Sequence, residues 1–145
     1  MSRGSTVLDT NVYIQHRLAI LPGSGLVSSV VLQELTAGAR DDAEVRRLGI
    51  VRAKAAEQGA LITRDGEDWW FAGKVLNLLY RGRESRRKGP TLSIPKEEQQ
   101  RLVRDVLIAR SAKRVNASVA TYNRADFKKI SRFCNVRLSD PEAIL

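Results

Sequence analysis

The stretch VLDTN, Val7 to Asn11, decides the fold of this 145-residue chain. Its two apolar residues close a short strand, and Asp9 then places a charge where the strand would have continued. One interpretation is structural, with the strand ending here and Asn11 capping the next helix. The other is functional, because polar residues beyond the carboxyl ends of parallel strands gather in one crevice. The rest of the chain decides between them.

Short apolar runs alternate with longer segments of helical period, a pattern typical of a parallel sheet covered by helices. We predict strands at residues 6–9, 26–28, 60–63, 118–121 and 136–138. We predict helices at residues 11–20, 29–37, 41–57, 67–81, 96–115 and 124–132. Three of these helices are expected to end at Gly38, Gly59 and Gly82. The pattern predicts one α/β domain over residues 1–145, with a basic surface loop at 81–97.

The composition points to a polyanionic partner. The chain has 25 Lys and Arg residues against 16 Asp and Glu, a formal charge of +9, which favours nucleic acid. Cys134 is the single cysteine and His16 the single histidine, which excludes an internal disulfide and a histidine-rich zinc site. Apolar runs fall short of the ~18 residues of a membrane span, and no P-loop spacing occurs. We expect a cytoplasmic protein that is not an ATPase.

Glu34 lies in the apolar stripe of the second predicted helix. At 100° per residue, Glu34 falls about 40° from Val30, between Val30 and Val31, which lies at about 100°. A carboxylate in that position must be paired, neutralised or bound to a metal. Asp105 lies at the edge of another apolar helical face, followed at helical spacing by the small Ala109 and Ala112. Pairing with arginine is the structural alternative for both acids, with Arg101 or Arg104 as partners of Asp105.

The segment VATYNRADF supplies the last acid. A strand ends at Thr121 and a helix starts near Arg124, so that Asn123 and Asp126 form a variant capping box. Asp126 would also lie at the same sheet edge as Asp9. Four acids gathered there would repel, at on the order of 3 kcal/mol per pair for ~5 Å and an effective dielectric of about 20. A hard dication offsets that repulsion, and an all-oxygen set without His or Cys selects Mg²⁺ or Mn²⁺.

These motifs resemble the PIN-domain nucleases and, among them, the VapC-like toxins of bacterial toxin–antitoxin pairs. The matching segments are VLDTNVYI, SSVVLQELTAGA, RDVLIARSAKRVNASVATYN and NRADF, with DWWFAGKVLNLL similar to a family helix through Trp69, Ala72 and Gly73. The resemblance implies a three-layer α/β/α sandwich around a central parallel sheet, a metal-dependent endoribonuclease, homodimerisation and inhibition by a cognate antitoxin. The loop from Arg81 to Pro95 is longer and more basic than expected of compact members, and Glu34 precedes no second acid that would reinforce the site.

From these observations we expect hydrolysis of RNA phosphodiester bonds. Asp9 and Asp105 would be direct ligands of Mg²⁺ or Mn²⁺, with Glu34 and Asp126 completing the catalytic set. Hydroxyl and amide groups would position the substrate or water, at Thr10, Thr121 and Asn123. Basic side chains would bind the RNA, at Arg81, Arg83, Arg86, Arg87, Lys88, Arg124, Lys128 and Lys129.

Two other functions fit parts of the sequence. A non-catalytic RNA- or ribosome-binding domain would carry the same positive charge, with its acids paired to its many arginines. A receiver-like phosphoacceptor would carry Asp9 in an acidic pocket. Glu34 in the middle of an apolar stripe argues against the first, since surface pairing requires no acid on a buried face. The exposed or buried state of Trp70, Phe71 and Tyr80 decides whether they contact a partner or the core.

Overall fold

The fold alternates strands and helices along the chain, as the sequence pattern predicts. A computed structural model describes residues 5–20, 25–84 and 95–145. In chain order the elements are β1 (Thr6–Leu8), α1 (Thr10–Gln15), β2 (Val27–Ser28), α2 (Ser29–Ala37), α3 (Asp42–Glu57), β3 (Leu61–Ile62), α4 (Gly66–Glu84), α5 (Lys96–Arg114), β4 (Ser118–Ala120), α6 (Arg124–Ile130), β5 (Leu138–Ser139) and α7 (Pro141–Ile144). The predicted α/β sandwich is confirmed.

All described strand pairs are parallel, and they form two hydrogen-bonded sheets within the described residues. One sheet has the order β1-β4-β5 and the other pairs β2 with β3, while β1 also approaches β2. The pairing of Leu8 with Ala120 puts the carboxyl ends of β1 and β4 side by side. The Asp9 N–H continues this ladder with a 2.9 Å bond to the Ala120 carbonyl. Residues that follow β1 and β4 therefore meet at one edge of the sheet.

The core is built around α5, whose apolar residues are buried on most of its circumference. Leu102, Val106 and Leu107 are almost wholly buried, as are Val7 and Val119 on the neighbouring strands. A fully buried aromatic ring, Phe127 of α6, packs in the same cluster. Removing these residues from water is the main stabilising contribution, at roughly 1.5–3 kcal/mol for each large side chain. No helix in the described part of the chain is both long and apolar enough to cross a bilayer.

An ionic clamp joins α4 to α5. The Asp68 carboxylate of α4 is fully buried and accepts hydrogen bonds of 2.7 Å from Arg110 Nε and 2.6 Å from Arg114 Nη2. Burial alone raises the pKa of Asp68, but these bonds and the Asp65 N–H outweigh burial and hold the pKa below its ordinary 3.8. The clamp fixes the register between the two longest described helices.

The ends of three helices share one motif. After α1, α3 and α5 the chain takes a left-handed residue, at Arg17 (φ 50°), Gly59 (φ 67°) and Asn116 (φ 57°). The following N–H then bonds back to the last helical turn, from Leu18 to the Tyr13 carbonyl at 2.9 Å in α1. The helix predicted over residues 11–20 therefore ends at Gln15. Arginine rarely takes this conformation and no glycine stands at position 17, so the sequence does not indicate that the helix ends there.

Several other boundaries differ from the predictions. Gly82 does not end a helix, because α4 continues through it to Glu84; a glycine inside a helix costs only about 1 kcal/mol. Arg81 and Arg83 are consequently helical, and the predicted basic loop starts later than residue 81. Residues 86–88 lie outside the described residues. The short helix α7 was not predicted, and β5 lies two residues beyond the start of the strand predicted at 136–138.

Candidate active site

The four predicted acids occupy one region of the molecule. Asp9 follows β1, Glu34 lies on α2, Asp105 on α5, and Asp126 in the first turn of α6. The carboxyl group of Asp105 interacts electrostatically with each of the other three. Up to 117 positions of sequence separate members of this group, Asp9 and Asp126 being the first and last. The parallel pairing of β1 with β4 brings them together, as expected for residues beyond parallel strand ends.

Asp9 is held by three hydrogen bonds and is nearly inaccessible to solvent. Its Oδ1 accepts from the Thr10 N–H at 2.8 Å, which makes Asp9 the N-terminal cap of α1. Its Oδ2 accepts from the Thr121 hydroxyl at 2.8 Å and from Asn11 Nδ2 at 3.3 Å. The prediction that Asn11 caps the helix is wrong, because Asn11 lies inside α1 and its amide contacts the Asp9 carboxylate.

Asn123 bridges two of the acids. Its Nδ2 lies 3.1 Å from Asp105 Oδ2 and 3.0 Å from Asp126 Oδ2, so both carboxylates accept from one amide group. Its backbone N–H donates to Thr121 Oγ1 at 2.9 Å. The predicted capping box is wrong, since the Asn123 side chain makes no cap hydrogen bond with α6. The amide is turned toward the acids, where a donor offsets part of their negative charge.

Two of the acids pair with arginines on α5. Arg104 Nη1 lies 2.9 Å from Glu34 Oε2, and Arg101 Nε lies 2.7 Å from Asp126 Oδ2. The structural alternative of arginine pairing therefore holds for Glu34, and Thr10 Oγ1 adds a 3.2 Å bond to Glu34 Oε1. For Asp105 the same alternative is wrong: that residue is 5% exposed and forms no ion pair with any described lysine or arginine.

The electrostatic consequence is an accumulation of negative charge that its surroundings only partly offset. Burial, followed by the charges of Asp9 and Asp126, raises the pKa of Asp105 to about 8. Burial likewise raises the pKa of Asp9, against the hydrogen bonds from Thr121 and Thr10. Burial raises the pKa of Glu34 too, although Arg104 and Thr10 lower it. Perturbed carboxylates gathered at a sheet edge are typical of a functional site.

The donor chemistry of this cluster fits a hard divalent cation. The side chains offer only oxygen ligands, and the mutual repulsion seen at Asp105 is what a bound dication would offset. In the arrangement described, Glu34 and Asp126 are instead bonded to arginines. Within residues 5–20, 25–84 and 95–145, no three His, Cys, Asp or Glu side chains converge as a metal-binding group. Of the four acids, Asp9 and Asp105 are the two that form no ion pair among the described residues.

The predicted positioning residues contact the acids. Thr121 is completely buried and donates to Asp9, and Thr10 is buried and donates to Glu34. Both hydroxyls hold carboxylates in the structure, and their role in positioning substrate or water stays a prediction. Asn11 is a site residue that the sequence pattern did not indicate; its amide joins Asp9 to Thr121, at 3.4 Å from Thr121 Oγ1. Its position two residues after Asp9 was the only indication in the sequence that its side chain would lie near that carboxylate.

Among the predicted RNA-binding residues, those on α6 are exposed. Arg124, Lys128 and Lys129 are all on the surface near the acid cluster, and Lys129 Nζ lies 3.9 Å from Asp126 Oδ1. Lys128 and Lys129 line a cavity of about 390 Å³ together with Tyr80. Arg86, Arg87 and Lys88 fall outside the described residues. Tyr80 is buried and Trp70 is 64% exposed, so the aromatic residues of α4 divide between core and surface.

Solved structures with the same fold belong to toxin–antitoxin complexes. A chain of FitAB bound to an IR36 DNA fragment matches with a TM-score of 0.53 and 14% identity over 94% of both chains. FitAcB from Neisseria gonorrhoeae matches with a TM-score of 0.52 and 14% identity, over 94% of this chain and 98% of the other. VapBC2 from Rickettsia felis, bound to a promoter DNA fragment, matches with a TM-score of 0.50 and 20% identity over the same shares.

These neighbours are VapBC and FitAB complexes, which include PIN-domain VapC toxins. No protein-family model and no curated protein matches the chain. The chain shares the α/β fold of these structures. At identities of 14–20% the likeness shows the fold alone, so that activity has to be argued from the site.

Proposed function

We propose that this protein is a metal-dependent endoribonuclease that hydrolyses RNA phosphodiester bonds and serves as the toxin of a toxin–antitoxin pair. The observation that carries the proposal is the cluster of Asp9, Glu34, Asp105 and Asp126, assembled from four separate elements. Of these, Asp9 and Asp105 are buried and form no ion pair among the described residues, although the charge of Arg104 lowers the pKa of both. A structural domain gains no stability from two buried acids that form no ion pair, since hydrogen bonds from neutral groups offset only part of the cost of burying a charge.

The acids have different places in the proposed reaction. Asp9 and Asp105 would hold Mg²⁺ or Mn²⁺ directly, with Glu34 and Asp126 completing the set of ligands. When bound, such an ion supplies activation of water and offsets charge on the scissile phosphate and the departing oxygen. The elevated pKa of Asp105, about 8, means that its carboxyl group can carry a proton near neutral pH when no cation is present. Loading with metal should therefore release protons.

The surrounding residues hold these carboxylates in place. Thr121 and the Thr10 N–H fix the two oxygens of Asp9, while Asn123 spans Asp105 and Asp126. Arg104 and Arg101 keep close to half of their side-chain surface exposed beside the acids. In the proposed complex they would contact a phosphate group of the substrate as well as their carboxylate partners. Arg124, Lys128 and Lys129 would extend that contact along the RNA.

The partners follow from the same proposal. The solved neighbours are toxin–antitoxin complexes, which supports a cognate antitoxin as a protein partner for this chain. We also propose homodimerisation, which the family resemblance implies. The net charge of +9 favours RNA as the substrate, since counterion release supplies much of the affinity for a polyanion.

The test is cleavage of total cellular RNA with Mg²⁺, with Mn²⁺ or with a chelator, followed by mapping of the new ends. We expect cleavage with metal only, and its loss in Asp9→Asn and Asp105→Asn with the fold and much of the RNA affinity retained. Asp42→Asn is the matched control, because Asp42 is an exposed acid in the first turn of α3. Full cleavage by either site variant would contradict the proposal.

A non-catalytic RNA-binding domain is the second candidate. The ion pairs of Glu34 with Arg104 and of Asp126 with Arg101 favour it, because they show acids already neutralised by arginines. This candidate predicts that a folded sample binds RNA equally well with and without chelator and cleaves none under any metal. It gives no role to Asp105, whose burial among three other acids would then be pure cost.

A further inference from the structure

A second cavity opens next to the acid cluster, and one residue of its lining contacts an acid of that cluster. The cavity encloses about 440 Å³ between α2, α4 and α5. Its lining includes Gln33, Trp69, Lys96, Gln99, Gln100 and Arg104. That residue is Arg104, whose Nη1 lies 2.9 Å from Glu34 Oε2. A molecule in this cavity would therefore lie one side chain away from the carboxylates.

The cavity has an aromatic wall that faces solvent. The Trp69 side chain is 50% exposed, and the Arg64 guanidinium lies over its ring at 5.1 Å from the centroid. Ser29 Oγ, 3.2 Å from Arg64 Nη1, holds the guanidinium in that position. A large indole kept half in water is available for stacking on a second flat ring, and a cation on the ring strengthens such assemblies.

The remaining lining residues suit the edge of a nucleobase. Glutamine side chains both donate and accept hydrogen bonds, and Gln33 and Gln100 are exposed. Lys96 is also exposed and, with Arg104, supplies positive charge suited to a phosphate or a base oxygen. Within the lining the charged groups are cations, and an unstacked base with its phosphate is complementary to such a combination of ring, amides and cations.

We infer that this cavity, which we call the Trp69 pocket, binds one unstacked base of single-stranded RNA beside the phosphate held at the acid cluster. The inference rests on the proposed function and extends it to substrate selection. Trp69 stacks on the base, the glutamines contact its edge, and Arg104 connects base and phosphate binding. The Trp69 pocket is then the place where the enzyme distinguishes one RNA sequence from another.

The two tryptophans of the chain provide a matched experiment. Trp70 is 64% exposed on the same helix and has a cation, Lys74, at 5.2 Å from its ring, but it does not line the cavity. In Trp70→Phe only Trp69 reports fluorescence, and in Trp69→Phe only Trp70 does. Homopolymeric RNA oligomers of about ten nucleotides are titrated into each variant in chelator, where the proposed metal-dependent cleavage does not occur.

We expect RNA to quench the Trp69 reporter and to leave the Trp70 reporter almost unchanged. Trp69→Ala should weaken binding by about tenfold, within the range for loss of one base-stacking contact, whereas Trp70→Ala should keep its affinity. Gln100→Ala should alter the preference among the four homopolymers while leaving the fold unchanged by circular dichroism. This second variant keeps the test decisive if Trp69→Ala folds poorly.

Other outcomes separate this inference from the proposed function. Cleavage that is normal in rate and sequence preference in both Trp69→Ala and Gln100→Ala would overturn the pocket and leave the nuclease intact. Quenching confined to Trp69, with no cleavage in the presence of any metal, would support the pocket and contradict the proposed nuclease function. Equal quenching of both reporters would overturn the pocket. A folded Trp69→Ala protein that binds RNA as tightly as the wild type but no longer binds a protein partner would also overturn it.

Discussion

The Thr121 hydroxyl donates a 2.8 Å hydrogen bond to Asp9 Oδ2, although 112 positions separate the two residues in sequence. Both residues stand one position beyond neighbouring parallel strands, Thr121 after β4 and Asp9 after β1. The bond is fully shielded, since Thr121 has no exposed surface. It links the geometry of the sheet directly to the geometry of the proposed metal ligand.

Replacing Thr121 with valine should therefore affect both stability and cleavage. Valine keeps the shape but removes a hydrogen bond to a buried carboxylate, at a cost of about 1.5–3 kcal/mol in the free energy of unfolding. We expect RNA cleavage to fall at least about tenfold, which corresponds to about 1.4 kcal/mol of transition-state stabilisation. Urea unfolding and a cleavage time course measure the two effects. Thr121→Ser should restore most of both, and a fully active Thr121→Val would exclude the positioning role.

Asp105 should couple metal binding to thermal stability. Without metal, its burial beside Asp9 and Asp126 destabilises the fold, so that Asp105→Asn should raise the melting temperature in chelator by a few degrees, about 2–8 °C per kcal/mol. Mg²⁺ or Mn²⁺ should raise the melting temperature of the wild type and much less that of the variant. Differential scanning fluorimetry provides this readout independently of any nuclease assay. Equal metal-induced shifts in both proteins would contradict direct binding by Asp105.

The Asp68 clamp predicts a specific loss of stability in acid. Because the folded pKa of Asp68 lies below 3.8, its contribution is present above about pH 4 and is lost as the pH falls through the folded pKa. Asp68→Asn should lower the free energy of unfolding by roughly 3 kcal/mol at pH 7, as for breaking a buried ion pair. When the pH falls below 4, the stability of this variant should decrease less than that of the wild type. Urea unfolding at both pH values measures this difference. Glu67→Gln, at an exposed acid in the first turn of α4, is the control and should change stability little.

Two glycines should respond to alanine with opposite signs. Gly49 lies inside α3 with open space where the methyl group of an alanine would stand, so Gly49→Ala should stabilise by about 0.5–1 kcal/mol through the unfolded chain. Gly59 ends the same helix at φ +67°, where a side chain costs about 1–2 kcal/mol. Thermal unfolding of the two variants measures both changes in stability. A stabilised Gly59→Ala would refute the left-handed helix end.

The elements of the site were predictable because each depends on short-range patterns. The stripe of Val30 and Val31 around Glu34, and the switch from apolar strand to acid at Asp9, locate those residues on elements whose faces follow from period alone. Parallel pairing then brings the strand ends together without further information. The order of elements and the cluster of four acids followed from these two arguments.

Contacts that depend on side-chain choice were not predictable. Arg104 could have paired with Asp105 on its own helix, and only the packing of α2 against α5 places Glu34 within its reach. The Asn123 amide had a local role available as a cap, and the stronger attraction of two carboxylates outweighed that role. The end of α1 at Gln15 rests on an arginine in a left-handed conformation, which no local propensity favours.

The pairing of β1 with β4 has a consequence for the protein's own synthesis. Until the ribosome has translated as far as residue 118, the first strand has no neighbour on the β4 side, and Thr121, Asn123 and Asp126 do not yet exist. A nascent chain therefore cannot assemble the proposed cluster of four acids before residue 126 has been translated. The proposed nuclease would in this way stay inactive toward its own transcript until the codon for Asp126 has been read.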